Sequence, residues 1–277
     1  MIKRILVGLG TSHSARSVSE HAIDLAQSFG AELLGTAITD PLRLEWTGPR
    51  PIGVGVETMT SQLRQQRLEK AKADIVIAEQ RFAEQCRAAN VSHSIVEHTG
   101  DPFEIAVDLV RYHDMCVFGL KGLFEHEVVP EPRDALERLI ASGVRPILAV
   151  GEHHRTIKRV LVAYSGSLES AKTFKSFVQS GLYAEASVRV VHCGEDADAA
   201  HRRLEAVSAY FKSHGRIVDT DCICGDPSAE IVPYAEEWGA DLIVAGNSAK
   251  NLLLRRLFGE TALKLLKESP LPLYLSQ

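Results

Sequence analysis

Four short segments of this 277-residue chain occur twice, in the same order, and that repetition restricts the fold more than any other feature. Ile5-Leu6-Val7 followed by Gly10-Thr11-Ser12 is echoed by Val160-Leu161-Val162 followed by Ser165-Gly166-Ser167. Gly100-Asp101-Pro102 returns as Gly225-Asp226-Pro227, each with Asp in a capping place and Pro in the first turn of a helix. Asp114-Met115-Cys116-Val117-Phe118-Gly119 returns as Asp241-Leu242-Ile243-Val244-Ala245-Gly246. Arg145-Pro146-Ile147-Leu148-Ala149-Val150 returns as Leu271-Pro272-Leu273-Tyr274-Leu275. One such pair would mean little; four in register mean duplication. The short polar run 151–156 separates the copies, giving two domains, 1–151 and 156–277.

Each copy alternates short apolar runs with helix-period segments. In the second copy the strands fall near 158–164, 186–192, 217–223, 241–246 and 271–275. Alternation of this kind is the mark of an α/β fold, a parallel sheet with helices on both faces, and right-handed crossovers leave few topologies. The chain is 45% hydrophobic and 24% charged, which supplies the core and surface of a soluble globular protein. A net charge of −5 offers no basic face to nucleic acid. No apolar run approaches the roughly 20 residues of a membrane span. The opening residues 1–7 read as a first strand, not a signal peptide, because Gly8 and Gly10 interrupt the apolar run. Five cysteines, an odd number without an export signal, point to reduced thiols in the cytoplasm.

The copies differ in length. Ile5 and Gly100 lie 95 positions apart and Val160 and Gly225 only 65, so the first copy carries about thirty extra residues. Most of the excess belongs to 40–68, where Pro41, Gly48, Pro49, Pro51, Gly53 and Gly55 break all periodicity. A loop of that length is a cover, a contact surface or disorder. A long charged helix is expected over 61–89. The final strands, 146–150 and 272–275, would each leave an exposed apolar edge, so the halves are expected to meet there as a pseudo-twofold dimer within one chain. A homodimer and an unidentified protein partner are also compatible with the sequence.

The last stretch, 241–277, concentrates the signals of a ligand site. The run Leu242-Ile243-Val244-Ala245 stops at Gly246, and apolar residues then recur at Leu254, Leu257, Phe258, Leu263 and Leu266, one helix face. A loop between a strand's carboxyl end and a helix N-terminus is where anions bind. Gly246, two residues, Ala249, nine residues and Gly259 resemble the phosphate loop of the universal stress protein family, Gly-x2-Gly-x9-Gly-Ser/Thr. In family members that bind ATP, that loop holds the phosphates. The resemblance runs over the whole chain as two copies. It implies two tandem, doubly wound, Rossmann-like parallel sheets of five strands in the order 3-2-1-4-5, and a non-enzymatic cytoplasmic stress-response or signalling protein. This sequence departs from the pattern: Ala249 replaces a glycine, and Glu260 follows Gly259 with Thr261 one place late. The Asp that contacts the nucleoside falls on Gly10 in the first copy and Ser165 in the second. The first copy keeps Gly119 and Gly122, but Pro132 and Arg133 stand where its phosphate loop would close, so it reads as a structural copy.

The expected site is therefore in the second copy, formed by Ser165, Gly166, Ser167, Gly246, Asn247, Ser248, Gly259 and Thr261, with Lys250, Arg255 and Arg256 nearby. It would take ATP or another adenine nucleotide at one per chain, weakly or not at all, since the carboxylate of Glu260 opposes phosphate. Ser165-Gly166-Ser167-Leu168-Glu169-Ser170 also resembles the SGGxDS loop of ATP pyrophosphatases, which makes an ATP-using enzyme the alternative. Ser167 is more simply a helix cap. A zinc-binding sensor is a further alternative: His192 and Cys193 end one strand, Cys222 and Cys224 the next, and zinc favours such ligands. His153 and His154 read as a solvated hinge. No Ser-His-Asp or Cys-His arrangement is apparent.

Overall fold

A computed structural model describes residues 1–10, 12–40, 56–120, 146–194, 197–246 and 260–276. The first copy runs β1 (Arg4–Gly8), α1 (Ala15–Phe29), β2 (Glu32–Thr39), α2 (Val56–Ala88), β3 (His93–Thr99), α3 (Pro102–Val110), β4 (Met115–Gly119) and β5 (Ile147–Val150). The second runs β6 (Arg159–Ala163), α4 (Leu168–Ser180), β7 (Ser187–Cys193), α5 (Ala197–Ser213), β8 (Val218–Ile223), α6 (Pro227–Trp238), β9 (Leu242–Gly246), α7 (Glu260–Glu268) and β10 (Leu273–Ser276). The expected long helix starts earlier, at Val56, inside the stretch read as a loop. Gly55 is the last backbone breaker there, and no glycine or proline interrupts the chain from Val56 to Ala88, with good helix formers rich in Gln, Glu and Arg from Gln62 on.

Each copy has the order 3-2-1-4-5, but the two five-stranded sheets are one. The strands run β3-β2-β1-β4-β5-β10-β9-β6-β7-β8, parallel within each copy. Across the junction β5 and β10 pair antiparallel, with Ala149 opposite Leu273, Leu148 opposite Tyr274 and Ile147 opposite Leu275. All of these are buried, so the edges that each copy would expose cover one another. One face of the sheet packs α1, α2, α4 and α5 around residues such as Val18, Phe82, Phe177 and Phe211. The other packs α3, α6 and α7 around Ala106, Ile231, Ala235 and Leu265.

The repeated motifs have physical reasons. Asp101 and Asp226 cap α3 and α6, accepting from the N–H groups of Phe103 and Ser228 at 2.8 Å. The preceding Gly225 has φ +126, a left-handed value that disfavours other residues. Asp114 accepts from the N–H groups of Lys3 and Arg4, and Asp241 accepts from those of Lys158 and Arg159. Each Asp thus satisfies two backbone donors where the first strand of its copy begins. The linker is not a solvated hinge at His154. Its Nε2 lies 2.7 Å from Asp24 Oδ2, its ring centroid lies 4.5 Å from that of His21, and Arg155 N–H donates to His21 Nε2 at 3.4 Å. His153 is exposed. The linker is therefore clasped to α1 by its second histidine.

Candidate functional site

In the second copy a cavity of about 170 Å³ opens at the carboxyl ends of β6 and β9, adjacent strands of its parallel sheet. Its floor is apolar: Ala163, Val191 and Ala245 from three adjacent strands, with Ile231 and Ala262 from α6 and α7. Ser165, Ser167, Ser170 and Thr261 bring hydroxyl-bearing side chains to the lining, Tyr164 contributes while its ring packs against Phe174, and Gly246 and Cys193 complete the wall. The volume suits a flat ring system. It falls short of the roughly 300–1,000 Å³ of sites that enclose a whole drug-sized ligand. A nucleotide could bury its base here and leave its charged end over the rim.

The rim is built by the β6–α4 loop. Gly166 turns it with φ +78. Ser167 caps α4, accepting from Ser170 N–H at 3.1 Å. Ser165 Oγ lies 2.9 Å from Ser167 Oγ and 3.1 Å from Ser170 Oγ, so the three hydroxyls hold one another in place. Gly246 is set by packing: a Cβ there would stand 2.8 Å from Ser170 Cα. Ser165, Ser167, Gly246 and Thr261 thus share one cavity, with Gly166 between the two serines. Asn247, Ser248, Gly259, Lys250, Arg255 and Arg256 lie outside the described residues, as do Gly122, Pro132 and Arg133 of the first copy.

The first copy differs at the floor. Strand registers make Phe118 the counterpart of Ala245, each one place beyond a valine paired to the first strand of its copy. Phe118 is fully buried. A benzyl group there occupies the volume that Ala245 leaves open, and Gly10 offers no hydroxyl where Ser165 stands. The floor residues and Tyr164 were not picked out from sequence. The contrast of Ala245 with Phe118 in otherwise matching strands was the available signal.

The zinc reading does not hold. Successive residues of a strand face opposite sides, so His192 and Cys193 diverge. His192 packs beside the α5 face, where its Nδ1–H donates to Tyr164 O at 2.8 Å and its Nε2 lies 3.5 Å from Arg203 Nη1. Cys193 lines the cavity on the other side, its thiol pushed up to about 11 chiefly by burial, which keeps it protonated and a poor ligand. Cys222 and Cys224 are exposed. Among the described residues no three His, Cys, Asp or Glu side chains are grouped to hold a metal.

The model of the universal stress protein family matches residues 1–143 and 194–276. The chain belongs to the universal stress protein family. Its likeness to other members extends over both copies. Universal stress protein Slr1230 of Synechocystis is 24% identical over 284 residues, covering 98% of each chain. The crystal structure of a universal stress protein from Archaeoglobus fulgidus shares 17% identity, covers 99% of this chain and 96% of its own, and has a TM-score of 0.67. A functionally unknown protein from Pseudomonas aeruginosa gives 0.65 at 15% identity, covering 99% and 92%. At these identities the two structures speak to the fold, a tandem universal stress protein. No described helix is long and apolar enough to cross a membrane.

Proposed function

We propose that the second copy, 156–277, is a single binding site for an adenine nucleoside or nucleotide, and that the first, 1–151, is its structural partner. The observation that carries this reading is the cavity at the carboxyl ends of β6 and β9, the place in such sheets where ligands sit. An apolar floor with hydroxyls at the rim suits a heteroaromatic base whose sugar faces outward. The protein retains its ligand as a sensor or signalling component and does not turn it over. Ser167, which stands where the ATP pyrophosphatase loop has its second glycine, serves as a helix cap. The reading places the protein in a reducing cytoplasm, where its cysteines stay thiols.

Isothermal titration with adenosine, AMP and ATP tests it. One site per chain is expected, together with no release of product from ATP. Ala245→Phe, which copies the floor of the first half, should weaken adenosine at least about tenfold, the order expected when a ring-sized volume is lost. Thermal melting should show the variant folded. Two equivalent sites, or unchanged adenosine binding by the folded variant, would refute the assignment.

A further inference from the structure

Arg203 on α5 lies against the rim of the cavity from outside. A Cβ built on Gly166 would stand 3.0 Å from Arg203 Cδ and Nε and 3.2 Å from Cζ, so the guanidinium rests on the residue between Ser165 and Ser167. Gly166 is the residue that permits this approach. The side chain is oriented by a relay: Tyr164 O accepts from His192 Nδ1–H at 2.8 Å, and His192 Nε2 lies 3.5 Å from Arg203 Nη1. With its proton on Nδ1, the imidazole presents a lone pair at Nε2 to the cation. His192 is itself only 4% exposed, so the relay is anchored in the core. Arg203 is exposed and has no carboxylate partner among the described residues. Of five guanidinium donors, a single long contact is used among the described residues.

We infer that Arg203 is the anion-recognising residue of this site, taking the phosphate of a nucleoside monophosphate at the lip formed by Ser165, Gly166 and Ser167. The inference rests on the nucleoside reading above. It reverses the orientation that the phosphate-loop resemblance implies. The charged end of the ligand meets the β6–α4 loop and not Glu260, the first residue of α7. A planar fork fits two phosphate oxygens. The base occupies the apolar floor.

The test compares adenosine with AMP in the full chain, for the wild type, Arg203→Gln and Arg203→Lys, at low and moderate NaCl. The wild type should bind AMP more tightly than adenosine, and salt should erode the difference. Arg203→Gln should lose about tenfold in AMP affinity, the order expected for a charge-assisted hydrogen bond. Its adenosine affinity should stay within about twofold. Arg203→Lys, which keeps the charge and loses the fork, should fall between. Equal losses for AMP and adenosine would mean that Arg203 only props the loop, and no loss for either would mean that it does not reach the ligand. Either result overturns the inference and leaves the nucleoside reading standing. A wild type that binds neither compound overturns both.

Discussion

A Cβ on Gly246 would sit 2.8 Å from Ser170 Cα and 3.0 Å from Ser170 N, backbone atoms of the first turn of α4. Those atoms cannot step aside as a side-chain tip could. Gly246 therefore has a packing reason to be glycine, independent of any ligand. Gly246→Ala should destabilise the chain by about 1–3 kcal/mol, the usual cost of overpacking. In a chain of this size that lowers the melting temperature by several degrees. A melt within a degree of wild type would show that α4 can shift. The sequence marked Gly246 and Ser167 because glycine and a capping serine leave local signatures. Arg203 was not legible: its contact with Gly166 joins residues 37 positions apart and depends on how α5 lies across the loop. Cys193 was visible as a cysteine, but its direction depends on strand register, which decides whether it faces a metal or a cavity.

Helices and strands were largely legible because their periods are written locally; their joints were not. The strand positions, the capped starts of α3 and α6 and the order within each copy follow from repeated motifs and the family pattern. The linker's clasp on α1 was missed, since it pairs His154 with Asp24 at a separation of 130 positions. That clasp gives the element a pH dependence. Burial lowers His21 from the ordinary value to about 4, and the nearby His154 works in the same direction. The bond to Ser17 O and the charges of Asp24 and Glu20 oppose the shift. A histidine depressed when folded takes up its proton more readily when unfolded. Its contribution is therefore intact above about pH 6.5 and drains away as the pH falls towards 4. Urea unfolding at pH 7.5 and 4.5 should show a loss of up to about 3 kcal/mol that His21→Gln largely abolishes. An equal pH dependence in the variant would place the acid sensitivity elsewhere.

At the scale of the molecule, the antiparallel pair of β5 and β10 turns two copies into one sheet. Buried Leu148 and Tyr274 face one another across the seam, and Phe177 packs edge-on to Tyr274 at 5.5 Å. Neither copy can melt without exposing that apolar edge, so the chain should unfold as one unit. The chain has two tryptophans, and Trp238 alone reports on the second copy once Trp46→Phe removes the other. Urea transitions of that variant, followed by Trp238 fluorescence and by far-ultraviolet circular dichroism, should coincide. Leu148→Lys should move both midpoints down together; separate midpoints would show two independent units. The seam has a geometric consequence too. Because β5 and β10 run in opposite directions, the strands of the two copies point to opposite ends of the molecule. One end holds the hydroxyl-rimmed cavity. At the other, beyond β2, the chain leaves at Asp40 and does not re-enter described structure until Val56. Duplication has given this protein a head and a tail: one end keeps an opening beside Ala245, and the far end fills the matching place with Phe118.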